Sequence, residues 1–228
     1  MLTVAILSQK GGTGKTTLTL HLAVAAERDG QTAAVIDLDP QASASGWSDA
    51  REDETPAVVP VPSARLTHAL KAAKEAGATI AFIDTAPHAS DAALASAEAA
   101  DLVLIPCRPG ILDLRAIGMT ARAVKLAGTP AYVVLNAMPS RAPNVLADAC
   151  AAVAVHGLEV APVFTQQRAA YAHALIGGQA AQEYEPAGKA AEEIGRLYAW
   201  VRDELAKRDA KLPANQQASK NSSRGAAE

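Results

Sequence analysis

Apolar residues along the 228-residue chain gather into short continuous runs, separated by longer stretches of helical period. The runs are Leu2 to Ser8, Ala33 to Leu38, Thr79 to Asp84, Leu102 to Pro106, Ala131 to Asn136 and Leu158 to Phe164. Most are apolar throughout instead of alternating, which is the pattern of parallel strands covered on both faces. Between them, Lys15 to Asp29, Ala64 to Ala76, Asp91 to Ala100, Leu112 to Ala127 and Val145 to His156 read as helices. Strand–helix alternation predicts an α/β fold, a doubly wound and mostly parallel sheet with helices on both faces. Ala42 to Ser63 carries AREDE and then TPAVVPVPS, whose three prolines suit a loop, a short helix and an edge strand.

After Phe164 the pattern turns helical. Ile194, Leu197, Tyr198, Val201 and Leu205 form one apolar stripe. Glu192/Arg196, Asp203/Lys207 and Glu204/Arg208 are acid-first pairs four residues apart on the other face. We expect one domain over residues 1–208, and a disordered polar tail over 209–228, where large apolar residues almost vanish.

Composition narrows the classes. The chain holds 54 alanines, so nearly half of its apolar set contributes little buried area per residue. No run approaches the ~18 apolar residues of a membrane span. MLTVAILSQKGG lacks the basic region and cleavage site of a secretory signal. Two cysteines, Cys107 and Cys150, are too few for a disulfide framework, and a reducing, cytoplasmic setting is expected. Cys150, among alanines on a helix, reads as core. The formal charge of −3 argues against a constitutive polycation but leaves room for local basic patches.

The chemistry concentrates in SQKGGTGKTT, Ser8 to Thr17, between the first apolar run and the first helix. Gly11, Gly12 and Gly14 let the backbone, with Thr13, curl and aim N–H groups at an anion at a helix N-terminus. Lys15 is placed to reach β- and γ-phosphates, the Thr16 hydroxyl to ligate Mg²⁺, and Thr17 closes the motif. Gln9 stands where the plain Walker pattern has its first glycine, and an additional lysine, Lys10, precedes the glycine pair. Two acids end apolar runs nearby, in AVIDLDPQAS and IAFIDTAP. An acid past a strand end sits at the carboxyl edge of such a sheet, where ligands bind, although each alone would also suit a cap or a turn.

KGGTGKTT resembles the deviant Walker A motif of the ParA/MinD family of P-loop ATPases, and the likeness runs over roughly Met1 to Leu205. Family members form nucleotide-sandwich dimers. The resemblance therefore implies ATP and Mg²⁺ as cofactors, an ATP-dependent homodimer, and Lys10 as the signature lysine acting on the partner's ATP. It further implies that Asp39 orients the attacking water, that Asp37 supports the Mg²⁺ and phosphate shell, and that Asp84 holds Mg²⁺ as the Walker B acid. His88 departs from the proline or small residue of many relatives. Asn136, at the end of VVLNAM, has the donor and acceptor to read an adenine edge, a turn-forming role being the other reading. Phe164 and Thr165 fall in the segment whose backbone lines the base in this family.

The branches of the family differ in what they bind. Partition ATPases bind nonspecific DNA as dimers and are released by a small centromere-binding adaptor. MinD-type proteins use a basic C-terminal amphipathic helix on membranes, and iron-protein relatives use paired cysteines. Here Arg115, Arg122 and Lys125 fall on one helical stripe and are the candidate DNA contacts, with a solvated helix face as the plain alternative. QQRAAYAHAL and the segment after it resemble small plasmid-type partition ATPases, with no room before the first strand for a helix-turn-helix. The expected function is an ATP-dependent partition ATPase of the cytoplasm and nucleoid, not membrane-bound. The alternatives are a MinD-like membrane switch and a ParA-like ATPase that positions a protein cargo on the nucleoid.

Overall fold

The computed structural model describes residues 1–87, 89–140 and 143–211. His88 and residues 212–228, most of the expected tail, lie outside them. β1 (Leu2–Ile6) leads through the glycine loop into α1 (Lys15–Arg28) and back to β2 (Ala33–Asp37). α2 (Ser43–Asp49), β3 (Ala57–Pro60) and a 3-10 turn at Ser63–Arg65 follow, then α3 (Leu66–Glu75) and β4 (Ile80–Asp84). The second half runs through α4 (Ser90–Ala99), β5 (Leu102–Cys107), α5 (Ile111–Ala127), β6 (Ala131–Leu135), α6 (Pro143–Ala154) and β7 (Glu159–Val160). α7 (Ala169–Ile176), α8 (Ala181–Tyr184) and α9 (Lys189–Lys211) close the described chain.

All seven strands pair in parallel, in the order β3-β2-β4-β1-β5-β6-β7. The winding reverses at β1, which lies between β4 and β5, and such a switch point opens a crevice at the carboxyl ends of the strands. Side chains alternate across the sheet. Val4, Ile6, Val35 and Phe82 join α1 and α7–α9 in one core, while Ala5, Leu7, Ile36 and Ile83 join α3–α6 in the other. The expected doubly wound sheet is therefore present, and the weak segment does contain a short helix and an edge strand.

Several expectations change. The last strand is two residues instead of seven: Ala161 N–H still donates to the Val133 carbonyl, but the next bond of the ladder, to the Leu135 carbonyl, comes from Thr165 N–H, four residues on. Pairing resumes beyond it, where Met138 bridges Gln166. Cys150 is exposed, since Ala149 and Val153 take the inward positions of α6. On α9 the apolar stripe is buried as expected. Of its expected pairs, Glu192–Arg196 forms at 3.8 Å, but Lys207 binds Glu204 at 2.6 Å. Arg208 instead donates to the Asp101 carbonyl. α9 continues to Lys211, past the expected domain end. No helix among the described residues is long and apolar enough to cross a membrane.

Candidate functional site

Strand register assembles the site. Asp37 and Asp84 are direct partners across β2 and β4, and Asp84 is also opposite Ile6, the last residue of β1 before the loop. Both acids therefore end on the edge from which the glycine loop springs. Gly12 and Gly14 take positive φ of 72° and 95°, a region that L side chains rarely adopt. A Cβ on Gly14 would lie 2.1 Å from Asn136 Nδ2, so this glycine also makes room for a neighbour. Cβ atoms on Gly11 and Gly12 would meet nothing within 4 Å, so these two exposed glycines face open space. Gly14 caps α1 without a side-chain bond, so the first N–H groups of the helix have no side-chain partner and face the loop as anion donors.

The loop folds around the Lys10 carbonyl, which accepts from Thr13 Oγ1 at 3.4 Å and from Lys15 Nζ at 3.5 Å. Lys15 is buried, which lowers its pKa, while Asp84 and Asp39 act in the opposite direction. Thr16 donates its hydroxyl to Asp84 Oδ2 at 2.6 Å. The other carboxylate oxygen, Asp84 Oδ1, is buried without a hydrogen-bond partner. Burial pushes the Asp84 carboxyl up to about 7; the Thr16 hydroxyl opposes the shift and the charge of Asp37 adds to it. An open buried oxygen beside a threonine hydroxyl fits a hard divalent cation. Mg²⁺ typically takes one or two protein oxygens and completes its shell with phosphate and water. Among the described residues no cluster of three or more His, Cys, Asp or Glu side chains could hold a metal by itself.

Asp37 works one step back. Its Oδ1 accepts from Asp39 N–H at 3.0 Å and its Oδ2 from Ala44 N–H at 3.2 Å. Burial raises its pKa against those bonds. It thus shapes the turn that carries Asp39 and starts α2. Asp39 is half-buried, and its Oδ1 accepts from Gln41 N–H at 2.9 Å. Ala42 follows in the left-handed region at φ 50°, a strained position for a residue with a Cβ. Beyond α2, Arg51 is gripped by Glu183 at 2.7 Å and stacks over Trp47, tying this segment to α8.

Lys10, the expected trans-acting lysine, is ion-paired within its own chain to Asp113 of α5 at 2.8 Å. Asn136 lies against the loop. Its Nδ2 donates to the Thr13 carbonyl at 2.8 Å, and its Oδ1 accepts from Thr165 Oγ1 at 2.6 Å. Phe164 packs partly buried against the core of α3–α6, while Thr165 is buried. Behind them Glu193 of α9 accepts from Gln166 N–H, the Arg168 guanidinium and the Tyr171 hydroxyl. Burial would raise Glu193, but these donors, Arg168 foremost, hold it below the usual carboxylate range.

The candidate DNA contacts Arg115, Arg122 and Lys125 are exposed on α5, as their spacing implies. They alternate with large exposed apolar residues, Leu112, Met119 and Leu126. Arg115, Arg122 and Met119 line a hollow of about 490 Å³ that also reaches Gln9 and Lys10, so the stripe abuts the glycine loop. Cys107 is buried and its thiol is pushed up to about 12 by burial, which suits core packing and not ligation. Sequence reasoning missed Asp113 as the partner of Lys10, and Glu193 altogether. The lone acid in the basic Arg108 to Lys125 stretch was a signal for Asp113; for Glu193 there was none.

Residues 4–176 match the family described as the CobQ/CobB/MinD/ParA nucleotide binding domain. The chain is 31% identical over 213 residues to maintenance of carboxysome distribution protein A of Gloeobacter kilaueensis, covering 89% of this chain and 93% of that protein. Protein ParA of Rhizobium radiobacter is 32% identical over 112 residues, or 48% of this chain and 50% of that protein. Among solved structures, an ATP complex of McdA from Cyanothece has a TM-score of 0.71 at 19% identity, covering 90% of this chain and 96% of that one. That last likeness carries the fold, and the sequence matches carry the kinship. The chain belongs to the CobQ/CobB/MinD/ParA family of nucleotide-binding domains.

Proposed function

We propose that this chain is a Mg²⁺-dependent ATPase that dimerises around two ATP molecules, binds DNA without sequence preference in that state, and positions a cargo through a partner that stimulates hydrolysis. The observation that carries the reading is one junction: an N-terminally uncapped α1, a buried Lys15, and the Thr16–Asp84 pair with an open carboxylate oxygen. The loop N–H groups and Lys15 hold the phosphates. Thr16 and Asp84 hold Mg²⁺, which when bound neutralises phosphate charge and fixes its geometry. Asp39, held by the Asp37 turn, orients the attacking water. Lys10 leaves Asp113 to act on the partner's ATP, and Asn136 reads the adenine edge with the donor and acceptor capacity left to it.

For the cargo, similarity along nearly the whole chain to a protein named for carboxysome distribution favours a protein assembly positioned on the nucleoid. Plasmid or chromosome partition with a centromere-binding adaptor is the second reading, supported by the half-length similarity to ParA. A MinD-like membrane switch has less support, since the apolar stripe of α9 is taken up by the core. Arg115, Arg122 and Lys125 are the proposed DNA contacts. Lys15→Ala is expected to abolish ATP hydrolysis with the fold intact by circular dichroism; normal turnover in that variant would sink the site assignment.

A further inference from the structure

Asn136 joins the glycine loop to a second segment, and the way it does so fixes its orientation. The Thr13 carbonyl can only accept, so the NH₂ group of Asn136 must face it, at 2.8 Å. Its oxygen then faces Thr165, whose hydroxyl donates to it at 2.6 Å. One N–H and one lone pair of the amide remain. They form a directed donor–acceptor pair, the pattern that distinguishes the amino edge of adenine from the carbonyl edge of guanine. Without the Thr165 hydroxyl the amide would hang from the Thr13 carbonyl alone, and its free acceptor could swing about that single bond.

Thr165 is kept in place from behind. Its N–H donates to the Leu135 carbonyl and its own carbonyl accepts from Met138 N–H, each within 3.0 Å. The next residue, Gln166, donates its backbone N–H to Glu193 at 3.0 Å. Glu193 also takes Arg168 Nε at 2.8 Å, Arg168 Nη2 at 2.6 Å and the Tyr171 hydroxyl at 2.8 Å, so one carboxylate gathers four donors from three residues between 166 and 171. It is only 4% exposed and sits on α9. In the bend that follows β6, Ala137 is held at φ 54°, a strained conformation for alanine that only a well-braced surrounding maintains.

We propose that Glu193 is a positioning residue for base selection: by pinning Gln166, Arg168 and Tyr171 it holds the Thr165 hydroxyl on Asn136 and so steadies at a second point the amide whose facing the Thr13 carbonyl decides. The inference rests on the reading of Asn136 as the adenine contact. It makes a carboxylate on the C-terminal helix, without contact to the nucleotide, a determinant of ATP over GTP.

The test is equilibrium binding of fluorescent ATP and GTP analogues to the full-length chain with Mg²⁺. Glu193→Gln keeps the shape and weakens the grip on Arg168. It should lower ATP affinity about tenfold, the scale of one charge-assisted bond, with GTP little changed, so that selectivity falls by the same factor. Glu183→Gln, in the part-buried Arg51–Glu183 pair, is the matched control: it should lower the melting temperature comparably yet keep the wild-type ratio. Asn136→Ala should lose selectivity, and the double variant Asn136→Ala with Glu193→Gln should lose no more than Asn136→Ala alone. A Glu193→Gln protein with wild-type selectivity, an equal effect from Glu183→Gln, or additive losses in the double variant would each overturn the proposal. Failure of the underlying reading looks different, because wild type or Asn136→Ala would then show the anomaly first: ATP and GTP bound alike by wild type, or selectivity kept by Asn136→Ala.

Discussion

Two buried titratable residues pull the pH dependence of the free protein's stability in opposite directions. His21 has both ring nitrogens buried without partners, and burial lowers its pKa from 6.5 to about 3. Between those values the unfolded chain binds a proton that the folded chain refuses, so stability falls as pH drops from 6.5 toward 3. Replacing His21 with Leu should flatten that part of a pH–stability curve measured by urea denaturation; an unchanged slope would show that His21 does not set it. Asp84 is the reverse case. Its folded pKa of about 7 lies above the ordinary 3.8, so the folded state keeps a proton that the unfolded state releases, and stability falls as pH rises from 3.8 to 7. Asp84→Asn should therefore stabilise the nucleotide-free protein at pH 7.5 by a few degrees in melting temperature. The same change should remove Mg²⁺-dependent hydrolysis. A destabilised variant, or one with full hydrolysis, would contradict the account of this acid as strain kept for a cation.

At the scale of elements, the informative contact is between the glycine loop and α5. Lys10 lies on Asp113 in the single chain, whereas the proposed function places it on a partner's nucleotide. The pair is partly exposed and is worth at most about 1 kcal/mol, so it delays the exchange without preventing it. Asp113→Asn should raise ATP-dependent dimer formation about two- to fivefold in a sedimentation titration; no change would mean that the pair does not hold Lys10 back. This contact also marks the limit of what the chain reveals when read linearly. The phosphate loop was legible because glycines, lysines and a threonine at fixed spacing are themselves the chemistry. Asp84 was legible because a strand end is a local signal. Asp37 was expected to support the Mg²⁺ and phosphate shell; that its oxygens accept from Asp39 and Ala44 N–H is a contact no local pattern announces. Lys10–Asp113, Asn136–Thr13 and Arg51–Glu183 join residues about a hundred positions or more apart, and only the strand order brings them together. The last strand misled because its apolar run leaves the ladder after Ala161 and rejoins it only at Thr165, which no apolar pattern announces.

For the whole molecule, the net charge of −3 is an average over unlike faces. The α5 stripe concentrates Arg115, Arg122 and Lys125 near the loop, and dimerisation would double it without adding a residue type. Three phosphate contacts give a slope of log affinity on log salt of about −2.7, and six give roughly twice that. DNA affinity titrated against salt should accordingly steepen when ADP is replaced by ATP; equal slopes would mean that the dimer does not build the DNA surface. Beneath that lies the claim on which the rest depends, that ATP converts single chains into a sandwich dimer. The direct measurement is the mass of Asp39→Ala in solution with Mg²⁺ and ATP, against the same protein with ADP. The variant should bind ATP, fail to hydrolyse it and accumulate at twice the chain mass, returning to single chains with ADP. A saturated ATP complex that stays strictly monomeric would contradict the account.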